Sequence, residues 1–396
     1  MPVPSKPRGP SVFRRLIRGY QSAALIALNT VVLFLAINIA LLAFFHVKDR
    51  LSAESPVTKK YGMEVLRDAY PHRSESEIEA LLSETWSRKF IYEPYTQFAE
   101  SPRRGDYVNV HDAGFRLGVD QGPWPPQAGP INVFVFGGST TFGYGVADDE
   151  TIPSYLQREL ATLQERPVHV YNFGRGHYFS TQERILFTQL IAAGHAPDLA
   201  VFIDGLNDFY YAAKIEPHYT RRLRRVTQDP KSRALELLSE LPLARALRAI
   251  RVLPRGEPTP QAVAFDDDGV IEGAVGRYLA SKRIVEALAE SRGIVPVFVW
   301  QPVPTFGYDL TEHPFDLSPS SPHNYSKYGY AAMGSRRDGG RLGANFVWCA
   351  DLQRDQEPPF YVDVVHYSAQ FSERIATCIA TGMVERGIPD LLTGGP

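Results

Sequence analysis

Residues 133–146 read VFVFGGSTTFGYGV. Four apolar, β-prone residues stop at Gly137-Gly138-Ser139, and two threonines and two more glycines follow. A run this apolar fits a strand buried on both faces, as in a parallel sheet. A serine at its carboxyl end then lies where open α/β sheets place their sites. Three readings compete: a phosphate cradle, a nucleophile on display, and an ordinary tight turn. The dinucleotide fingerprint fails on glycine spacing, and the P-loop fails for want of a lysine. The hydrolase elbow G-x-S-x-G fails too, because Thr141 stands at the second glycine position. Taken alone, the stretch reads as a turn.

Working outward, the same apolar pattern recurs. Strands are expected at Asn132–Phe136, Val168–Phe173, Leu199–Ile203 and Ile294–Trp300. Between the first two, Ile152, Tyr155, Leu156, Leu160 and Leu163 recur at helical spacing, with Pro153 in the first turn. Residues 277–293 lead into the last strand in the same way. Alternating strand and helix implies an α/β fold, a three-layer α/β/α sandwich with a central parallel sheet of flavodoxin-like type. Two insertions interrupt it. Residues 209–275 read as helical and basic. Their cluster Arg221, Arg222, Arg224 and Arg225 is taken as a solvated face ahead of a rim for anionic lipid or glycan. Residues 303–345, rich in Pro, Ser, Tyr and Gly, read as a long loop near the site. Within it, Tyr308, Tyr325, Tyr328 and Tyr330 either stack on sugar rings or pack the loop.

The N-terminal part is organised differently. Residues 22–45, SAALIALNTVVLFLAINIALLAFF, carry no charge, and as a helix they span about 36 Å, enough for a hydrocarbon core of about 30 Å. A cleaved signal peptide should have a shorter apolar run and a small-x-small site, whereas this one ends in Phe44-Phe45-His46-Val47-Lys48. The expectation is a retained transmembrane helix over 22–46 after a basic segment 1–21 holding Lys6, Arg8, Arg14, Arg15 and Arg18. That excess of positive charge keeps the N-terminus in the cytoplasm. The remainder would face the periplasm or cell surface of a bacterium, from an inner-membrane anchor. Residues 47–128 are expected as a juxtamembrane region, with short helices over 48–100 and an extended stretch at 106–118. Residues 129–390 form the main domain. The formal net charge of −2 gives no indication of a nucleic-acid partner. Cys349 and Cys378 could pair on an oxidising side. Sequence does not bring their Cβ atoms together, and the balance tips slightly toward unpaired thiols.

Three further strand ends change the reading of Ser139. FIDGLNDFYY (202–211) places Asn207 where its amide can turn toward the same crevice. VYNFGRGHYFSTQE (170–183) brings glycines that admit close backbone approach. YVDVVHYS (361–368) sets Asp363 three residues before His366, so the carboxylate can orient one imidazole nitrogen while the other faces outward.

Together these blocks resemble the SGNH (GDSL-like) hydrolase superfamily of serine esterases and acyltransferases, most of all a bacterial membrane-anchored branch with GGST in the first block. The resemblance covers residues 131–386. It implies Ser139 as nucleophile, His366 as base and Asp363 as its orienter. It also implies an oxyanion hole from the Ser139 N–H, the Asn207 amide and a backbone N–H of Gly176 or His177. The sequence departs from the pattern twice. Gly138 replaces the usual aspartate of G-D-S, and His177 stands five residues after Asn172, where the family has its oxyanion glycine. No metal or organic cofactor is implied. The other histidines, His169, His195, His313 and His323, lack metal-ligand spacing and read as structural or exposed. The expected function is a membrane-anchored serine esterase acting on O-acyl groups of a glycan or lipid ester outside the cytoplasm. An O-acyltransferase and a non-catalytic glycan-binding subunit are the alternatives.

Overall fold

A computed structural model describes residues 12–51, 54–228, 230–250, 264–354, 356 and 358–388. Lys6 and Arg8 of the basic segment, residues 251–263 of the expected insertion and residues 389–390 of the expected main domain lie outside them. The chain divides into two compact units, Met1–Ala53 with Leu223–Thr259, and Glu54–Arg222 with Pro260–Pro396.

The larger unit begins with short helices at Pro56–Tyr61, Met63–Ala69 and Glu75–Trp86. The last starts with a capping box: Ser74 accepts from the Glu77 N–H while the Glu77 carboxylate accepts from the Ser74 N–H. An antiparallel hairpin follows, β1 (Phe90–Glu93) and β2 (Gln97–Glu100). Helices were expected throughout 48–100. The hairpin escaped notice because it is short and its outer strand is largely exposed, which leaves little alternation to read.

The sheet is five-stranded and wholly parallel: β3 (Ile131–Gly137), β4 (Val168–Asn172), β5 (Leu199–Asp204), β6 (Val295–Trp300) and β7 (Phe346–Trp348), in the order β4-β3-β5-β6-β7. β3 is buried along its whole length, which explains its unbroken apolar run. Its alternate residues feed two cores. Val133 and Val135 join Ile152, Leu156 and Leu160 of helix Ile152–Leu163 and Ile375 and Ile379 of helix Ala369–Val384. Phe134 and Phe136 join Leu186 and Phe187 of helix Ser180–Ala192 and Val275 and Tyr278 of helix Asp268–Glu290. On that second face Phe136, Phe202 and Phe298 stack across adjacent strands, with centroids 4.8 and 5.3 Å apart. The three-layer α/β/α sandwich with a parallel sheet is therefore the fold.

Several features depart from the sequence reading. β7 was not anticipated, since three residues at a sheet edge carry almost no periodic signal. The expected loop 303–345 contains a helix, Tyr325–Asp338, whose inner face is Tyr325, Tyr330 and Met333, all buried. Tyr325 and Tyr330 therefore pack the core rather than present rings to a ligand, whereas Tyr328 is exposed. Cys349 and Cys378 form a disulfide, against the expectation of free thiols. One lies just after β7 and the other on helix Ala369–Val384, a proximity that only the packed fold creates.

The smaller unit holds one long helix, Val12–Leu51, whose residues Phe13–Asp49 are long and apolar enough to cross a membrane by length and composition; a signal sequence would pass the same test. The same unit contains helices Pro230–Ser239 and Pro242–Ala249.

Candidate active site

Ser139 follows β3 directly. Gly138 caps a single helical turn, Ser139–Phe142, and Gly143 ends it with a left-handed φ of +90°. First-turn amides have no partner within a helix, so the N–H of Ser139 is available beside its own hydroxyl.

The structure brings the distant residues to this turn. His366 Nε2 lies 2.8 Å from Ser139 Oγ, across 227 residues of sequence. His366 Nδ1 lies 2.7 Å from Asp363 Oδ2. Asp363 Oδ1 accepts from the backbone N–H groups of Val365 and His366 at 2.9 and 2.8 Å. The carboxylate is thus fixed by its own turn, which Val362 closes by donating to the His366 carbonyl at 2.8 Å. Burial alone would push the Asp363 carboxyl up. The charge and hydrogen bond of His366, with the two backbone donors, outweigh burial and hold it down at about 2. An ionised Asp363 keeps the proton on Nδ1 and leaves the Nε2 lone pair facing Ser139.

Aromatic rings close the imidazole in. Tyr144 stacks on His366 at 5.1 Å, and Trp86 meets it edge-on at 5.8 Å. Neither ring belonged to a motif, so sequence reasoning missed both. It also missed Gln301, which directly follows β6. Gln301 Oε1 accepts from Thr140 Oγ1 at 2.7 Å and lies 3.0 Å from the hydroxyl of Tyr367. One side chain therefore ties the residue after Ser139 to the residue after His366. The available signal was its place at the carboxyl end of a strand, where sites collect.

Asn207 sits in helix Leu206–Tyr210, after Gly205. Gly205 has φ +120°, and a Cβ there would come within 2.3 Å of the Tyr330 hydroxyl oxygen, so the turn requires glycine. Asn207 Nδ2 donates to the Tyr178 carbonyl at 2.7 Å, which fixes the amide orientation and leaves its second N–H. A Cβ on Gly138 would lie 2.5 Å from that same Nδ2. The missing aspartate thus has a physical counterpart: the Asn207 amide fills the space its Cβ would need.

The two backbone donors separate. Gly176 N–H donates to Glu100 Oε1 at 2.9 Å and is occupied. Glu100 is itself held by Arg88, Nη1 to Oε2 2.7 Å, with both side chains almost fully buried. His177 adopts φ +67°, the left-handed region that glycine favours. Its ring Nδ1 lies 3.0 Å from the Tyr211 hydroxyl. Desolvation in the cleft, then the charges of His366 and His218, lower the His177 imidazole. His323 is lowered to about 4, first by burial and then chiefly by the charge of His366. His313 lies farther round, with Nε2 3.0 Å from the Val364 carbonyl.

No curated protein matches the chain in sequence. Solved structures similar to it include Est24, a carbohydrate acetylesterase from Sinorhizobium meliloti, at 14% identity over 64% of this chain and 98% of that one, TM-score 0.35. An acetylxylan esterase, Axe2, from Geobacillus stearothermophilus aligns at 14% identity over 66% and 96%, TM-score 0.32. A family two carbohydrate esterase from Clostridium thermocellum aligns at 10% identity over 66% and 65%, TM-score 0.34. Residues 135–319, from β3 through the Ser139 turn to the segment beyond β6, match the GDSL-like lipase/acylhydrolase family. The chain carries a GDSL-like lipase/acylhydrolase domain over those residues and is an ester-hydrolysing enzyme.

Proposed function

We propose that the protein is a membrane-anchored serine esterase that removes O-acyl groups, acetyl foremost, from an envelope glycan or lipid ester outside the cytoplasm. The observation that carries the reading is the relay Ser139 Oγ, His366 Nε2 and Nδ1, Asp363 Oδ2, with contacts of 2.8 and 2.7 Å. Ser139 attacks the ester carbonyl as His366 takes its proton. Asp363 holds the imidazole and stabilises the imidazolium. The oxyanion is met by the N–H of Ser139, the N–H of His177 and the free N–H of Asn207. Gly176 leaves that set because Glu100 binds its N–H. His366 then returns the proton to the departing alcohol, and water cleaves the acyl-enzyme by the same path.

The location rests on the helix Val12–Leu51 and its charges. Arg14, Arg15 and Arg18 lie on one side of the uncharged stretch, and Lys48, Asp49 and Arg50 on the other. The Cys349–Cys378 disulfide suits an oxidising compartment.

The test uses the purified full chain with p-nitrophenyl acetate and a fluorophosphonate probe, beside Ser139→Ala. Wild type should turn over and label, and the variant should do neither. A wild type that does neither would sink the reading. Slow hydrolysis that accelerates with an added oligosaccharide acceptor would instead identify an acyltransferase.

A further inference from the structure

The smaller unit contains an arrangement that a solvated insertion does not need. Asn38 lies inside the uncharged stretch of the long helix, seven residues before its end at Phe45, about 10 Å along the axis. It is 8% exposed, while its neighbours Ile39 and Leu42 are 67% and 61% exposed. Its amide donates to the Phe34 carbonyl at 2.8 Å, and its Oδ1 accepts from the backbone N–H of Leu243 at 3.1 Å. Leu243 is in the first turn of helix Pro242–Ala249, where the N–H has no partner within the helix. In water such a donor is satisfied at once. In hydrocarbon it costs several kcal/mol unless another chain group meets it. The asparagine and the amide answer each other, so neither needs water.

Arg245 extends the argument. Its two terminal nitrogens donate to Asp49 Oδ2 and Oδ1 at 2.8 and 2.7 Å, a bidentate pair, and its guanidinium lies 4.1 Å from the Phe45 ring centroid. Asp49 lies past the uncharged stretch, eleven residues or about 16 Å from Asn38. The arginine stem thus starts two residues from the deep amide and reaches the charged end of the long helix. A cationic side chain takes this course when its base is in hydrocarbon and its head seeks the interface. Leu235, Leu238 and Ile250 are exposed, and so is Leu237, which at two residues' spacing lies roughly opposite Leu235 on its helix. Leu235 and Leu237 leave apolar surface on both sides of a helix that also carries Lys231, Arg233 and Glu236, a mix that suits the boundary of acyl chains and head groups rather than one-sided packing.

We propose that residues 230–250 form a second membrane-embedded element, a helix pair lying in the leaflet against the outer half of the long helix, with bilayer acyl chains as its partner. This rests on the reading that Val12–Leu51 spans a membrane. The occupant is lipid because the exposed leucines continue the apolar surface of the long helix, to which Asn38 and Arg245 fasten the pair. The anchor then widens from one helix to three in the outer leaflet.

The test places single cysteines at Leu235, Leu238 or Ile250 of the full chain and labels them with a polarity-sensitive NBD fluorophore. The native cysteines are disulfide-bonded and leave no competing thiol. Each protein is reconstituted in phosphatidylethanolamine/phosphatidylglycerol vesicles, and Ile39→Cys reports on the long helix. At all three sites the emission should shift to the blue. Nitroxide-labelled lipid should quench most of it, and aqueous iodide little. Quenching by lipid at position 39 together with quenching by iodide at 235, 238 and 250 overturns the proposal and leaves the anchor standing. Protection of the three sites from both quenchers means that protein covers the face, which also overturns it. Loss of lipid quenching at position 39 overturns the anchor and the proposal together.

Discussion

Thr140 donates its hydroxyl to Gln301 Oε1 at 2.7 Å, and the same oxygen lies 3.0 Å from the Tyr367 hydroxyl. The neighbours of Ser139 and His366 are thus fastened to one amide on the end of a core strand. Replacing Gln301 with leucine removes that acceptor. It leaves the buried Thr140 hydroxyl without that partner, at about 1–3 kcal/mol, while the Tyr367 hydroxyl keeps the Pro302 carbonyl at 2.5 Å. It also loosens the Ser139–His366 distance. We expect kcat on p-nitrophenyl acetate to fall by about 10- to 100-fold, as for a reacting group misplaced by an ångström, with KM little changed. A fall in KM-limited rate alone would argue against a positioning role.

Gly138 and Asn207 share one space. Restoring the family's aspartate as Gly138→Asp would set a Cβ 2.5 Å from Asn207 Nδ2 and 3.1 Å from the Tyr178 carbonyl oxygen. The amide must move away, and the oxyanion donor proposed for Asn207 moves with it. Loss of one such donor costs about 10²- to 10³-fold in kcat. Gly138→Asp and Asn207→Ala should therefore reach similar rates, and the double variant should be little worse than either. Additive losses would show that the two act separately.

The acid limb of stability should carry the signature of Asp363. Its carboxyl is held at about 2 in the fold, against about 3.9 for a free aspartate. A depressed carboxylate contributes stability above its unfolded value and loses it as pH falls toward the folded one. The window is pH 4 down to 2, and the contribution is on the order of 2 kcal/mol. In Asp363→Asn the melting temperature should fall less steeply across that window than in wild type. The same variant should lose about 10⁴-fold in kcat at neutral pH, through the wrong imidazole tautomer.

His323 predicts a milder change above that window. Its imidazole is held at about 4, so the fold keeps it neutral while the unfolded chain takes up a proton below about 6.5. Stability therefore declines as pH drops from 6.5 to 4. Melting curves of His323→Gln should show a flatter decline there, and an unchanged slope would refute the assignment.

Glu100 links the β2 hairpin strand to the site. It binds Gly176 N–H, takes the Tyr144 hydroxyl at 3.2 Å and pairs with Arg88 in a buried contact. Removing it as Glu100→Ala leaves a buried guanidinium unpaired, a loss of about 3–5 kcal/mol. Glu100→Gln keeps one acceptor oxygen but loses the charge and the second acceptor, and should lose less. Chemical denaturation of the three proteins ranks them. Equal losses would mean that the carboxylate charge, and not the remaining acceptor oxygen, accounts for the effect.

The disulfide closes a loop of 29 residues between β7 and the last described helix. Reduction, or Cys349→Ala with Cys378→Ala, should destabilise the fold by about 2–4 kcal/mol. The site lies on other strand ends, so kcat below the melting temperature should hold.

What the sequence determined alone was local. Continuous apolar runs marked four buried parallel strands, because a strand covered on both faces has no polar side to show. Helical spacing marked Ile152–Leu163, and the absence of charge marked the core of Val12–Leu51. Ser139, Asn207, Asp363 and His366 were legible as candidates because each sits in a short block with its own turn chemistry. Tertiary structure decided what depends on distance. It set Ser139 2.8 Å from His366 across 227 residues. It gave Gly176 N–H to Glu100, from a hairpin with no motif. It buried Tyr325 and Tyr330 in a helix that the composition hid, and it joined two cysteines whose Cβ separation no spacing could reveal. Periodicity records which face of an element meets the core, whereas hydrogen bonds between elements depend on where the folded layers place their ends.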